Sequence, residues 1–276
     1  MYGTSHPSLI VLLTCASLSV ACTLITLYII KAINRWNGYI QLIFNLAMAQ
    51  LIYDASMVLI PFRHHYSLIE SIYIAIRCIS GLVATSITNI LASVVAYAVW
   101  KRSTYDINKA LRYANPIICI PSTLVGSMVA ISLAVDQGST FWSYTYGALR
   151  VVSILINISL YIVLTCTLYL RNRNSPNKSR NDPLEVLVNR FKYYPLVQVI
   201  SRAAVVIHEV KYGFEYYYED GGSVSLQKKI SLYCYVTTLP SLGILYFLVF
   251  LSVSPGAFST LKHSVSRLFL RVCCCS

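Results

Sequence analysis

The stretch YYPLVQVISRAAVVIHE, Tyr193 to Glu209, decides the fold. It is apolar on most sides, has a proline near its start, Pro195, and an arginine, Arg202, in its middle. Whether it crosses a membrane sets the number and direction of every other crossing. The 276-residue chain is 57% hydrophobic and 12% charged, with a mean hydropathy of +0.63, which is too apolar for a soluble domain of this size. A bilayer-crossing helix needs about 20 mostly apolar residues. Six other runs meet that need: Ser8–Ile30, Tyr39–Pro61, Cys78–Trp100, Ala114–Val135, Gly147–Leu170 and Ser231–Val253. With the shorter Tyr193–Glu209, the count is seven.

Charge placement argues that this marginal stretch crosses. Lys and Arg near span ends collect on the cytoplasmic side. With seven crossings and the N-terminus outside, fifteen of the 22 Lys and Arg fall on inner segments, six on outer ones, and Arg202 lies within a span. A surface helix at Tyr193–Glu209 would instead invert the last run and put the basic tail outside. The first run is too long for a signal-peptide core and has no basic region before it, so it is expected to be retained. The expected architecture is all-α: a seven-transmembrane helix bundle over residues 1–255, N-terminus extracellular, then an amphipathic membrane-surface helix and a cysteine-rich cytoplasmic tail over 256–276. In that tail Phe258, Leu261, Val265, Leu268 and Val272 share one face. Cys273, Cys274 and Cys275 are expected lipidation sites, palmitoylation ahead of prenylation because the final box lacks aliphatic residues.

Several function classes drop out. The net charge of +12 is explained by juxtamembrane basic residues facing anionic inner-leaflet lipid, so the lipid bilayer and no nucleic acid is the expected partner. Nine cysteines make no disulfide framework, since several fall inside spans. None of the five histidines lies at mid-bilayer, so no catalytic or metal centre is expected. No cofactor is expected either; a retinal Schiff base needs a lysine in the last span, and Ser231–Val253 has none.

The remaining polar residues within the spans are the candidate sites. Arg202 lies about 14 Å beyond the inner boundary at Tyr193, where a charge must face the bundle and find partners. It either pairs with Asp54 of the second span, or snorkels and bonds backbone carbonyls. Pro195 removes a backbone hydrogen bond near the foot of the same helix and permits a bend, so Asp54, Pro195 and Arg202 are candidate parts of a conformational switch. Thr85, Asn89 and Ser93 recur every four residues on one face of the third span, for interhelical hydrogen bonding ahead of ligand contact. At the outer side Arg63, His64, His65, Arg77 and Arg150 are either solvated headgroup-level residues or a basic vestibule for an anionic ligand.

NLAMAQL, Asn45–Leu51, resembles the second span of rhodopsin-like receptors, with Gln50 where their acidic residue stands. AVWKRSTY lacks an acid before Arg102, the fourth run lacks a tryptophan, and the second outer loop has no cysteine for Cys78. YYPLVQVISR and GILYFLVFLSVSPGAF, Gly243–Phe258, instead resemble the sixth and seventh spans of protist and slime-mould G-protein-coupled receptors. These form the cyclic-AMP-receptor-like group and the seven-helix part of receptors fused to phosphatidylinositol phosphate kinases. The resemblance carries over to Tyr194, Pro195, Arg202 and Pro255, the last joining the switch residues. It implies a plasma-membrane receptor that passes a small extracellular ligand's signal to a heterotrimeric G protein. The implied coupling surface is Lys101, Arg102, Arg171, Arg190 and Lys192, at the cytoplasmic ends of the third, fifth and sixth spans. The competing expectation is a seven-helix small-solute transporter lined by Thr85, Asn89 and Ser93.

Overall fold

The structure is a computed structural model that describes residues 7–33, 38–62, 67–101, 119–128, 130–131, 140–174, 191–212, 225–254 and 256–262, together with 113, 116, 188 and 266. Among the described residues there is no strand. Among the described residues, seven α-helices of ten residues or more follow in order: α1 Pro7–Ile33, α2 Gly38–Ala55, α3 Ser67–Lys101, α4 Cys119–Met128, α5 Thr140–Asn174, α6 Tyr193–Tyr212 and α7 Leu226–Val253.

Five stretches are long and apolar enough to cross a membrane: Pro7–Ile33, Gly38–Pro61, Leu68–Tyr97, Gly147–Thr167 and Leu226–Val253. The 20 residues of α6 rise about 30 Å, the thickness of a hydrocarbon core, but it is more polar than these five. The described part of α4 is a shorter apolar helix.

Helix ends follow local chemistry. Beyond Ala55 the chain tightens into a 3-10 helix, Ser56–Phe62. There the Ser56 hydroxyl donates to the Tyr53 carbonyl at 2.6 Å, and Pro61 lacks the N–H that would continue the α-helix. Phe191 is helical, Lys192 is a turn and α6 starts at Tyr193. Pro195 has no N–H for the Phe191 carbonyl, so the helix breaks there. Ser225 caps α7 by accepting from the Lys228 N–H at 3.3 Å. Past Ser254, Gly256 takes φ +84°, the left-handed conformation open to glycine, and residues 257–262 resume a helix. On that helix Ala257 is buried in the core, while Phe258 is exposed. Val265, Leu268 and Val272, and the lipidation candidates Cys273, Cys274 and Cys275, lie outside the described residues.

α1 packs on α2 and α7, α6 on α5 and α7, and α3 on α2 and α5. α4 reaches α3 through small residues: Ser122 donates to Ser86 Oγ at 2.7 Å. One turn on, a Cβ at Gly126 would lie 2.9 Å from Ile79 Cα, so only glycine permits this approach.

Burial is arranged in three layers. One apolar cluster joins Ile29, Leu42, Leu46, Leu91, Tyr194 and Phe250, and a second joins Leu12, Tyr53, Ile60, Tyr73, Val205 and Tyr235. Along α1, α2, α6 and α7 these clusters occupy opposite ends of the helices. Between them lies a belt of buried polar side chains: Ser19, Thr23, Gln50, Asp54, Gln198 and Arg202. Large apolar side chains such as Leu18, Tyr28, Leu155, Ile162 and Leu248 point outward. Polar groups inside and apolar groups outside reverse the arrangement of a protein in water and fit one surrounded by lipid.

Candidate functional site

The belt is built around Asp54, at the last α-helical turn of α2 before the 3-10 segment. Its side chain is fully buried. Ser19 Oγ of α1 donates to Oδ2 at 2.6 Å and Gln50 Nε2, one turn earlier on α2, donates to Oδ1 at 2.8 Å. Gly243 makes room for this from the α7 side. A Cβ there would lie 2.6 Å from Thr23 Oγ1 and 3.0 Å from Asp54 Oδ2, and closer still to the Ser19 hydroxyl. Below Gly243 a small cavity of about 10 Å³ is lined by Thr23, Thr26, Gln50, Tyr194 and Tyr246 among others, room for about one water. Gln50 Oε1 is buried without a hydrogen-bond partner in the structure.

Arg202 enters the belt from α6 and is 3% exposed. Its guanidinium lies over the Tyr53 ring, with Cζ 4.9 Å from the centroid, and Nη1 donates to the Tyr53 hydroxyl at 3.3 Å. Nε and Nη2 are buried without partners. The direct Arg202–Asp54 pair offered by the sequence is not formed. Ser19 and Gln50 hold the carboxylate, while the ring of the neighbouring residue, Tyr53, holds the guanidinium. The two side chains nonetheless lie in the same buried belt, Arg202 bonded to Tyr53, the residue next to Asp54. Nor does Arg202 snorkel, since its head is buried inside the bundle.

A second polar seam joins α3, α5 and α6. Asn89 Oδ1 accepts from Ser153 Oγ at 3.0 Å and from Asn157 Nδ2 at 2.5 Å. Asn157 Nδ2 also approaches Gln198 Oε1 at 3.2 Å. Asn89 thus makes the interhelical bonds its spacing suggested. Thr85 is buried, but Ser93 is exposed, because the helical stripe drifts around α3 over two turns. Nearby, Thr88 of α3 and Tyr246 of α7 share a hydroxyl contact at 3.1 Å.

The basic residues expected at the outer side are not a solvated rim where they are described. Arg77 and Arg150 are each 4% exposed. Arg77 donates to the hydroxyls of Tyr73 at 3.3 Å and Tyr235 at 3.0 Å. The His208 ring stacks on Tyr235 at 4.5 Å, and its Nδ1 contacts Ser231 Oγ at 2.9 Å. Arg63 and His64 lie outside the described residues, as do Arg102, Arg190 and Pro255. Lys101 and Arg171 fall in α3 and α5 near the ends of those helices, and the Lys192 ammonium sits 5.1 Å from the centroid of the Tyr193 ring.

Ser19, Tyr53, Asn157, Gln198 and Gly243 were not singled out from the sequence, and Gln50 was noted only as standing where rhodopsin-like receptors carry an acid. Spacing held a signal for some of them. Gln50 precedes Asp54, and Gln198 precedes Arg202, by one helical turn. Asn157 is a lone amide within an apolar run. Nothing local marks Gly243 or Ser19.

Fold and belt together define an all-helical, multi-pass membrane protein. No protein-family model matches the chain, and no curated protein matches it.

Proposed function

We propose that the chain is a seven-helix, G-protein-coupled receptor of the plasma membrane, N-terminus outside, with α4 and α6 as the crossings that complete the seven. The observation that carries this reading is the state of the two opposite charges in the belt. Asp54 and Arg202 share one buried belt, yet each is held by a different set of neighbours. Arg202 has one hydrogen bond and a ring face, so little ties it to its present place. An arginine on α6 that exchanges Tyr53 for Asp54 would move α6 relative to α2, and the break at Lys192 lets that helix shift at its foot. A ligand drives such a shift only by binding one arrangement better than the other. The receptor passes this movement to a heterotrimeric G protein at the basic ends of α3, α5 and α6. Lipidation at Cys273, Cys274 and Cys275 anchors the tail.

The test is nucleotide exchange in membranes containing the chain and a panel of heterotrimers, comparing native protein with Arg202→Ala. Basal exchange is expected to change more than surface expression does. An equal loss of both would mean that the arginine only supports folding. No exchange with any heterotrimer, from a chain with seven verified crossings, would overturn the receptor reading in favour of a transporter, for which ligand-dependent flux is the measurement.

A further inference from the structure

We infer that one end of the bundle carries a collar for acidic phospholipids of single negative charge, such as phosphatidylserine, and that this collar reaches the foot of α6. This holds for the multi-pass fold whether or not the chain couples to a G protein. The end concerned is that of the first apolar cluster, which gathers Ile29 and Ile30 of α1, Val99 of α3, Leu164 of α5, Phe191 beside α6 and Phe250 of α7. At these helix ends an exposed aromatic side chain recurs with a basic one close by. Tyr28 and Lys31 lie three residues apart near the end of α1, and Tyr169 and Arg173 four apart near the end of α5. Phe258 and Lys262 repeat the spacing on the short helix after α7, and all six side chains are exposed. Such spacings put ring and cation on one helix face. At α6 the exposed Tyr193 ring lies 5.1 Å from Lys192 Nζ. On α1 and α5 the cation stands about 4.5–6 Å nearer the helix end than the ring, at 1.5 Å per residue. Tyrosine rings settle at the boundary between acyl chains and headgroups, so a cation just beyond them sits at the level of the lipid phosphates.

The sign of the partner follows from the acids. Among the described residues these are Asp54, inside the belt, and Glu70 and Glu209, which lie on α3 and α6 toward the second cluster. That opposite end has one described pair of the same kind, Lys229 with Tyr233. The sequence that joins the helices at the first end is basic too, with ten Lys and Arg against three acids over residues 101–113 and 171–192. Anionic headgroups therefore supply the counter-charge there. The described cations Lys31, Arg173, Lys192 and Lys262 are spread one to a helix end rather than gathered at one point. That arrangement suits several singly charged headgroups around the bundle, and not one polyphosphorylated head in a pocket. Lys192 is also the turn from which α6 starts, its N–H donating to the Val188 carbonyl at 2.9 Å. A headgroup drawn to Lys192 thus acts on the break in the chain and not on the middle of a stiff helix.

The test places the full chain in phosphatidylcholine vesicles and measures, by electron paramagnetic resonance, how strongly spin-labelled phosphatidylserine and spin-labelled phosphatidylcholine are held at the protein surface. Phosphatidylserine is expected to be preferred about fivefold, the effect of one basic residue near an anionic headgroup, with the preference shrinking in concentrated salt. Lys31→Gln, Arg173→Gln, Lys192→Gln and Lys262→Gln combined should bring the two lipids to parity, whereas Lys31→Arg, Lys192→Arg and Lys262→Arg combined should keep the preference. Amide hydrogen exchange over residues 192–194 should be slower in vesicles containing phosphatidylserine than in phosphatidylcholine alone, and Lys192→Gln should erase that difference. Parity in the native chain, or a preference that survives the four glutamine changes, would overturn the collar. Loss of the preference on adding one phosphatidylinositol bisphosphate per chain would replace the collar by a single pocket. Identical exchange at 192–194 in both lipids would sever the collar from α6.

Discussion

At the scale of single residues, the belt turns on Asp54 having neighbours that fit it. Gly243 is the least replaceable of them, because its missing side chain is the space in which Ser19, Thr23 and Asp54 meet. Gly243→Ala should lower stability by about 1–3 kcal/mol through overpacking, read as a lower unfolding midpoint in detergent; an unchanged midpoint would mean that α1 and α7 can part there freely. Asn157 tests the other seam. Its amide reaches Asn89 on α3 and Gln198 on α6, so Asn157→Leu should cost about 0.6–1.7 kcal/mol, the range of membrane interhelical hydrogen bonds. Double-mutant cycles with Asn89→Ala would reveal whether that energy belongs to the pair. Of these residues only Asn89 was marked in advance by its place in a four-residue repeat.

At the scale of elements, α6 differs from its neighbours in two ways: a break at its foot and a charge at its middle. Pro195 produces the first by leaving the Phe191 carbonyl without its N–H. Pro195→Ala should join Phe191 to α6 as one continuous helix, seen as slower amide hydrogen exchange over residues 192–194 and reduced ligand-driven nucleotide exchange. Unaltered exchange at those amides would show that the turn at Lys192 has another cause. The α3–α4 contact makes a separate demand. A side chain at Gly126 would strike the α3 backbone at Ile79 rather than a movable side-chain tip, so Gly126→Val should destabilise by about 1–3 kcal/mol, measured in the same unfolding assay. The existence of these helices was legible in the apolar runs, and Pro195 was legible as a site of bending, though not as the break the structure has at Lys192. The 3-10 continuation of α2 was not, because a proline such as Pro61 ends an α-helix without specifying what replaces it.

At the scale of the whole molecule, two apolar clusters enclose a polar layer, and lipid-facing side chains cover the outside. Seven crossings would place the two ends of the chain on opposite sides of the membrane. An epitope tag at the N-terminus should then be reached by antibody on intact cells, and a tag at the C-terminus only after permeabilisation. Both tags appearing on one side would mean an even number of crossings and would remove α4 or α6 from the set. Seven crossings with the N-terminus outside would also put the sequon Asn177-Lys178-Ser179, between α5 and α6 in the chain, on the cytoplasmic side, so it should remain unglycosylated in the same cells.

The sequence by itself determined that the chain is helical and apolar enough to enter a membrane. Lipid offers the backbone no hydrogen bonds, so each crossing must be a run of about 20 apolar residues, and such runs can be counted one at a time. It also set the approximate depth of Asp54 and Arg202, since rise per residue is constant along a helix. Only the tertiary structure decided which way each helix is turned about its axis. α1, α2 and α7 are apolar on nearly every face, so the usual contrast between a buried and an exposed stripe is missing from their sequences. Two residues at similar depth can therefore face each other or face away, and that choice gave Asp54 to Ser19 and Gln50, and Arg202 to Tyr53.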